Sequence, residues 1–115
     1  MLKQFTAFIP MVLGLVALGT AQETKIYTHE QKAFQDALAL YNNEQYQAAQ
    51  TIFDKVKVST KDEETAANSA YYSANAAVRL NQMGADRLME DFVEKYPTST
   101  KRNSAYADVA EYYFQ

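Results

Sequence analysis

Phe34–Phe53 reads FQDALALYNNEQYQAAQTIF. Phe34, Ala37, Leu38 and Tyr41 recur at helical spacing, which makes one face of a helix apolar. Asn42-Asn43-Glu44-Gln45 breaks the pattern, and asparagine favours turns over helix interiors because its side chain competes for backbone hydrogen bonds. A second helical pattern follows at Tyr46, Ala49, Phe53 and Val56. Two helices joined by so few polar residues pack as an antiparallel hairpin. Ala37, Ala48 and Ala49 are expected to let the helices approach, with Tyr41, Tyr46 and Phe53 filling the remaining space. A solitary hairpin would read the same way, so repetition decides the fold.

The pattern repeats. Ala49, Phe53, Val56 and Lys61 recur as Ala85, Met89, Phe92 and Pro97, each 36 residues on. In the preceding helices, Ala70, Tyr71 and Ala74 are echoed by Ala105, Tyr106 and Val109, each 35 residues on. A helix-turn-helix unit with a period of about 34–36 residues indicates a stacked helical array.

With these residues, the chain resembles the tetratricopeptide repeat (TPR) family. Tyr46, Ala49 and Phe53 match the motif in one unit, and Ala85, Phe92 and Pro97 in the next. LNQMGADRLMEDFVEKYP, residues 80–97, resembles the second helix of repeats in bacterial envelope proteins, which often end in an aromatic-Pro pair. The chain departs from the family in having no tryptophan, Ala37 where glycine is common and Lys61 where proline is expected. The resemblance implies an all-α fold of antiparallel helix hairpins stacked as a TPR-like right-handed superhelical solenoid. Residues 30–115 would hold about two and a half units, expected to continue beyond the fragment or, on the alternative reading, to end with helix five as a cap.

The amino terminus reads as a separate region. MLK is followed by an uncharged run from Gln4 to Gln22 with an apolar centre at Phe8–Leu18, then by the small residues Gly19-Thr20-Ala21. This is the layout of a secretory signal peptide over residues 1–21, with cleavage favoured after Ala21. The rival reading is a retained membrane anchor, since the run is near the lower length for a span. With no cysteine in the chain, the usual bacterial lipoprotein anchor is unavailable, and no disulfide framework exists. Residues 22–29 read as a flexible polar lead. Beyond the signal, ten basic residues face fourteen acidic ones, a formal charge of −4. With no basic stripe, nucleic acid is not an expected partner.

Further signals set the helix boundaries. Thr28 with Gln31 fits a capping box at the start of helix one, which runs to Asn42 or Asn43. Helix two is expected over about 45–58. Thr60 with Glu63 fits a second capping box, and Asp62, Glu63 and Glu64 place negative charge where the helix dipole favours it. Helix three spans about 62–81. Its many alanines suit a helix touched on more than one side, and Leu80 and Met83 are expected to close its apolar face. Helix four spans about 85–95, with Leu88, Met89, Phe92 and Val93 inward. Tyr96-Pro97 ends it, because proline disfavours helix at the residue before it. Thr98, Ser99 and Thr100 offer caps for helix five.

The chemistry is sparse. There is one histidine, His29, expected to be exposed and without companions that would make a metal site. There is no cysteine nucleophile, and of three glycines two lie in the signal-like run, leaving no phosphate loop. The acidic cluster and the Glu90/Glu94 pair read as solvated helix faces. The expectation is a protein that is not an enzyme, with no cofactor and no metal.

Tyrosine is abundant, with nine in the chain, and its ring with a polar tip suits interfaces. Tyr71, Tyr72, Tyr106, Tyr112 and Tyr113 fall on first helices of successive units, which in the TPR family line the concave, peptide-binding surface. The resemblance therefore points to Asn68, Tyr71, Tyr72, Asn75, Arg79 and Tyr106 as a partner-binding surface. Successive helical residues diverge by about 100°, so one of Tyr71 and Tyr72 is expected to face the core and the other not.

The expected function is a non-enzymatic protein–protein interaction or scaffold module of the bacterial cell envelope. It would be exported to the periplasm or the periplasmic face of the outer membrane. Its partners would be a protein or peptide segment and neighbouring repeats, with no stable membrane span after cleavage. The alternatives are a purely architectural spacer in a larger repeat protein, and a helical accessory part of an enzyme whose catalytic domain lies beyond residue 115.

Overall fold

The computed structural model describes residues 29–114, and the chain divides into a unit of residues 1–30 and a second of residues 31–115. The signal peptide of residues 1–21, most of the polar lead and the Thr28 cap lie outside the described residues. The second unit is all helical. Residues 29–42 form α1; α2 is Tyr46–Ser59, α3 is Glu63–Arg79, α4 is Ala85–Lys95 and α5 is Arg102–Tyr113. Chain neighbours pack in succession, α2 on α3, α3 on α4 and α4 on α5, and α3 also meets α5.

The repeat seen in the sequence is a repeat of burial. Ala49, Phe53 and Val56 of α2 are buried, and so are Ala85, Met89 and Phe92 of α4, 36 residues on. Each set occupies positions i, i+4 and i+7, the stripe by which a helix faces a neighbour. Ala37 and Ala49 are wholly buried together with Phe53, and the Phe34 ring meets Phe53 edge-on at 5.6 Å. Ala48 points to solvent and takes no part in the close approach.

The first helices of the two pairs also end alike. After α1, Glu44 N–H donates to Tyr41 C=O and Gln45 N–H to Leu40 C=O; after α3, Asn81 N–H donates to Val78 C=O and Gln82 N–H to Ala77 C=O. This is the Schellman arrangement, which satisfies the last carbonyls of a helix and requires a left-handed residue just past its end. Glu44 and Asn81 are those residues, with φ of 64° and 55°. They stand 37 apart. Gln50 and Gln82 tie α2 to the second of these turns by exchanging amide hydrogen bonds of 2.9 and 3.0 Å.

Helix α3 is the wall shared by its neighbours. Eleven of its seventeen residues are buried, among them Ala66, Ala67, Ala74, Ala76 and Ala77. Small side chains allow this close packing on several sides, as the alanine content implied. Ser69 is wholly enclosed and its hydroxyl has no hydrogen-bond partner, whereas the Ser73 hydroxyl is bonded to the Asp54 carboxylate.

Several boundary expectations are corrected. The cap of α3 is Asp62, whose carboxylate accepts from Thr65 N–H at 3.0 Å and from the Thr65 hydroxyl at 2.6 Å. The Thr60 hydroxyl instead accepts from Asp62 N–H at 3.2 Å and shapes the approach to the helix. At the start of α5 the Ser99 hydroxyl accepts from Lys101 N–H at 3.1 Å, but no side chain caps the helix. Leu80 and Met83 do not close the face of α3: Leu80, at the end of the helix, is 37% exposed, and the left-handed turn at Asn81 swings Met83 out of helical phase. Met83 is fully exposed. Leu88, 40% exposed, stands at the rim of α4 beside the buried Met89.

Candidate functional site

A ladder of polar groups crosses the first helices. The Tyr71 hydroxyl donates to Asp108 Oδ2 at 2.7 Å. Asn75, one turn further along α3, donates from Nδ2 to the same Oδ2 at 2.6 Å and to the Tyr71 hydroxyl oxygen at 3.1 Å. Its own Oδ1 accepts a long bond from Arg79 Nε at 3.4 Å. The i, i+4, i+8 spacing of Tyr71, Asn75 and Arg79 stacks them along one side of α3. The ladder therefore joins α3 to α5, and Arg79 extends it electrostatically towards Tyr41 of α1.

The electrostatics follow from partial burial. Burial pushes the Tyr71 hydroxyl far above the ordinary phenol range, and acceptance by Asp108 adds to this. Burial also raises the Asp108 carboxyl; the Tyr71 hydrogen bond and the Arg79 charge oppose the shift, and Glu111 reinforces it. The Tyr41 hydroxyl is likewise raised by burial, against the pull of Arg79. Burial works against the Arg79 charge, yet Tyr41 and Glu111 outweigh it and hold the guanidinium more firmly protonated than usual.

Beside the ladder lies a continuous run of aromatic rings. Tyr46, Tyr41, Tyr72, Tyr71, Phe92 and Tyr96 follow one another with centroids 5.1–5.9 Å apart. Tyr72 also stacks on Phe53 at 5.4 Å with 19° between the planes. Offset and edge-on pairs are the favourable arrangements for such rings. The Lys101 ammonium lies 5.7 Å from the Tyr71 ring centre and 5.3 Å from that of Tyr72, within range of a cation–π attraction.

The six expected surface residues are thus not one surface. Tyr71, Asn75 and Arg79 come together in the ladder, and Tyr72 touches it through the Tyr71 ring. Tyr71 is 6% exposed, and Asn75 is buried as well. The division expected between Tyr71 and Tyr72 is only partial: Tyr72 is half-buried and packs against both hydrophobic clusters. Asn68 lies apart, in a polar depression with Glu63, Glu64, Tyr96 and Thr98 to Thr100. Tyr106 is 55% exposed and carries the Arg102 guanidinium 5.8 Å above its ring, so the burial of Tyr71 is not repeated one unit on.

Asp108, Glu111 and Lys101 escaped the sequence reading, and Tyr41 was read for packing alone. One signal was available: Asn75 sits four residues after Tyr71 in an alanine-rich helix, where propensity offers no reason for an amide. It does not say which residue of α5 answers it. Among the described residues, no group of three or more His, Cys, Asp or Glu side chains is placed to hold a metal ion, and no helix is long and apolar enough to cross a membrane. No protein-family model, curated protein or solved structure matches the chain.

Proposed function

We propose that this chain is a non-enzymatic interaction or scaffold module of the bacterial cell envelope, built from TPR-like helix pairs stacked in a right-handed superhelix. The observation that supports this reading is the double repetition along the chain. The buried stripe of α2 recurs in α4 after 36 residues, and the left-handed ending of α1 recurs after α3 at 37. Such pairs bury each other's apolar faces and leave their first helices on a common side. On that side Tyr41, Arg79, Tyr106 and the rim of the Asp108 ladder offer aromatic and charged groups to a protein or peptide segment. The signal-like residues 1–21 support export to the periplasm or the periplasmic face of the outer membrane.

The architectural spacer has an observation in its favour too. Tyr71, Tyr72 and Asn75 are spent on internal contacts, which leaves a narrower surface for a partner. In-cell photo-cross-linking separates the two readings. A cross-linking residue is placed at Arg79 or at Tyr106, with the exposed Thr51 of α2 as the control. The interaction module gives a discrete adduct from the first-helix positions and none from Thr51. No adduct anywhere, or equal adducts from all three, rejects it in favour of the spacer.

A further inference from the structure

Between α4 and α5 runs a shallow groove of about 90 Å³, lined by Met89, Glu90, Val93, Ala105, Tyr106 and Val109. Glu90 alone among these is charged, and it stands exposed at the rim. The chain builds the same feature one repeat earlier. Val93 lies 36 residues after Lys57, and Ala105 and Val109 lie 35 after Ala70 and Ala74. Lys57, Ala70 and Ala74 line a groove between α2 and α3, and there Leu88, Asp91, Phe92 and Lys95 of α4 supply a further wall. Helix α4 lies on α3, and its Phe92 ring meets Tyr71 at 5.6 Å. Exposure records the difference between the two places. Tyr71 is 6% exposed and Ala74 is buried, whereas Tyr106 is 55% exposed and Val109 only half-buried. We propose that the groove between α4 and α5 receives an amphipathic helix of another polypeptide, laid on α5 as α4 is laid on α3. This rests on the reading of the chain as stacked helix pairs, but it concerns the flank of α5 beside α4 and not the ladder of polar groups.

The helix seated in the first groove shows what the second one fits. Helix α4 buries Ala85, Met89 and Phe92, a small residue followed by large apolar ones four and seven places on. The small residue allows close approach, and an aromatic at the last place would cover Tyr106 as Phe92 covers Tyr71. One position must differ. In the first groove Asp91 and Lys57 stand in the same lining, so opposite charges share it. In the second, Val93 takes the place of Lys57, and an acid beside it would lose water without gaining a cation. The partner helix therefore carries an apolar residue six places after its small one, where α4 has Asp91. The Arg102 guanidinium lies 5.8 Å from the centre of the Tyr106 ring but is not part of the groove lining, so it leaves the floor open.

Fluorescence polarisation with the full chain tests this. Two labelled peptides serve as probes: residues 80–97 of this chain, and the same peptide carrying Asp91→Leu. The Asp91→Leu peptide is expected to bind saturably, and about tenfold more tightly than the unmodified one. Val93→Lys in the chain introduces the residue type that α2 carries at this place and reverses the preference. Tyr106→Ala, at an exposed position that the fold does not need, weakens the Asp91→Leu peptide about tenfold. Thr51→Lys, on the exposed face of α2, changes neither. Absence of saturable binding overturns the site, as does equal binding of the two peptides, a preference that survives Val93→Lys, or an affinity indifferent to Tyr106→Ala. Self-association of the chain that Val93→Lys abolishes also overturns it, by making a second copy the occupant. A chain that cross-links through Arg79 yet binds neither peptide loses this site and keeps its interaction surface; peptide binding without an Arg79 adduct does the reverse.

Discussion

Two residues hold backbone conformations that side chains resist. Glu44 and Asn81 both have positive φ, at equivalent turns. Asparagine visits the left-handed region at modest cost, whereas glutamate has no local hydrogen bond to offset the crowding of its Cβ. Glu44→Gly is therefore expected to stabilise the chain by about 0.5–1 kcal/mol, and Asn81→Gly by less, both read from denaturant midpoints. A midpoint that falls for Glu44→Gly would mean that its side chain makes a contact stronger than the relief of strain. Ser69 shows a different local compromise. Its unpartnered hydroxyl sits where α3 is most crowded, and a serine costs little volume there even though its polar atom is unanswered.

Among the elements, the opening of α3 depends on one carboxylate. Thr65 holds the Asp62 carboxyl below the usual range, first through its hydroxyl and then through its N–H. The sign is opposite to that of Asp108. A depressed acid contributes stability above its unfolded value of about 3.9 and loses it as the pH falls towards the folded value. Acid should therefore fray the first turn of α3. Asp62→Ala is expected to cost about 1 kcal/mol at neutral pH and to abolish the acid fraying seen by exchange at residues 63–66. Fraying that persists in the variant would assign it elsewhere. The elements themselves were largely legible. The limits of α4 were read as they stand, and the periodic stripe identified the buried residues of α2 and α4. Thr60 was mistaken for the cap because Thr60–Glu63 and Asp62–Thr65 both satisfy a three-residue spacing, and only backbone geometry chooses between them. Leu80, Met83 and Leu88 were misjudged because apolar character predicts a wish for burial, whereas the left-handed turn at Asn81 carries Met83 outward and Leu80 and Leu88 stand at the end and the flank of their helices' buried stripes. Asp108 was out of reach, since its partners are 33 and 37 residues away.

At the level of the whole described chain, Tyr72 binds the parts together. One hydrophobic cluster gathers Ala37, Ala49 and Phe53, the other Tyr71, Met89 and Phe92, and the Tyr72 ring packs against both. Tyr72→Ala should cost roughly 2–4 kcal/mol, somewhat less than truncation of a wholly buried ring. It should also uncouple the two clusters, so that exchange in α1 and α2 no longer follows exchange in α4 and α5 through the unfolding transition. Tyr72→Phe keeps the ring and should preserve the single transition; a single shared transition in Tyr72→Ala would show that the clusters communicate by another route. The crowding of α3 carries a consequence for sequence drift. With eleven of seventeen positions walled in, enlarging a side chain there collides with one neighbour or another. Variation tolerated in this helix should concentrate at Glu63, Glu64, Asn68 and Ala70, while the helices flanking it diverge more freely on their outer sides.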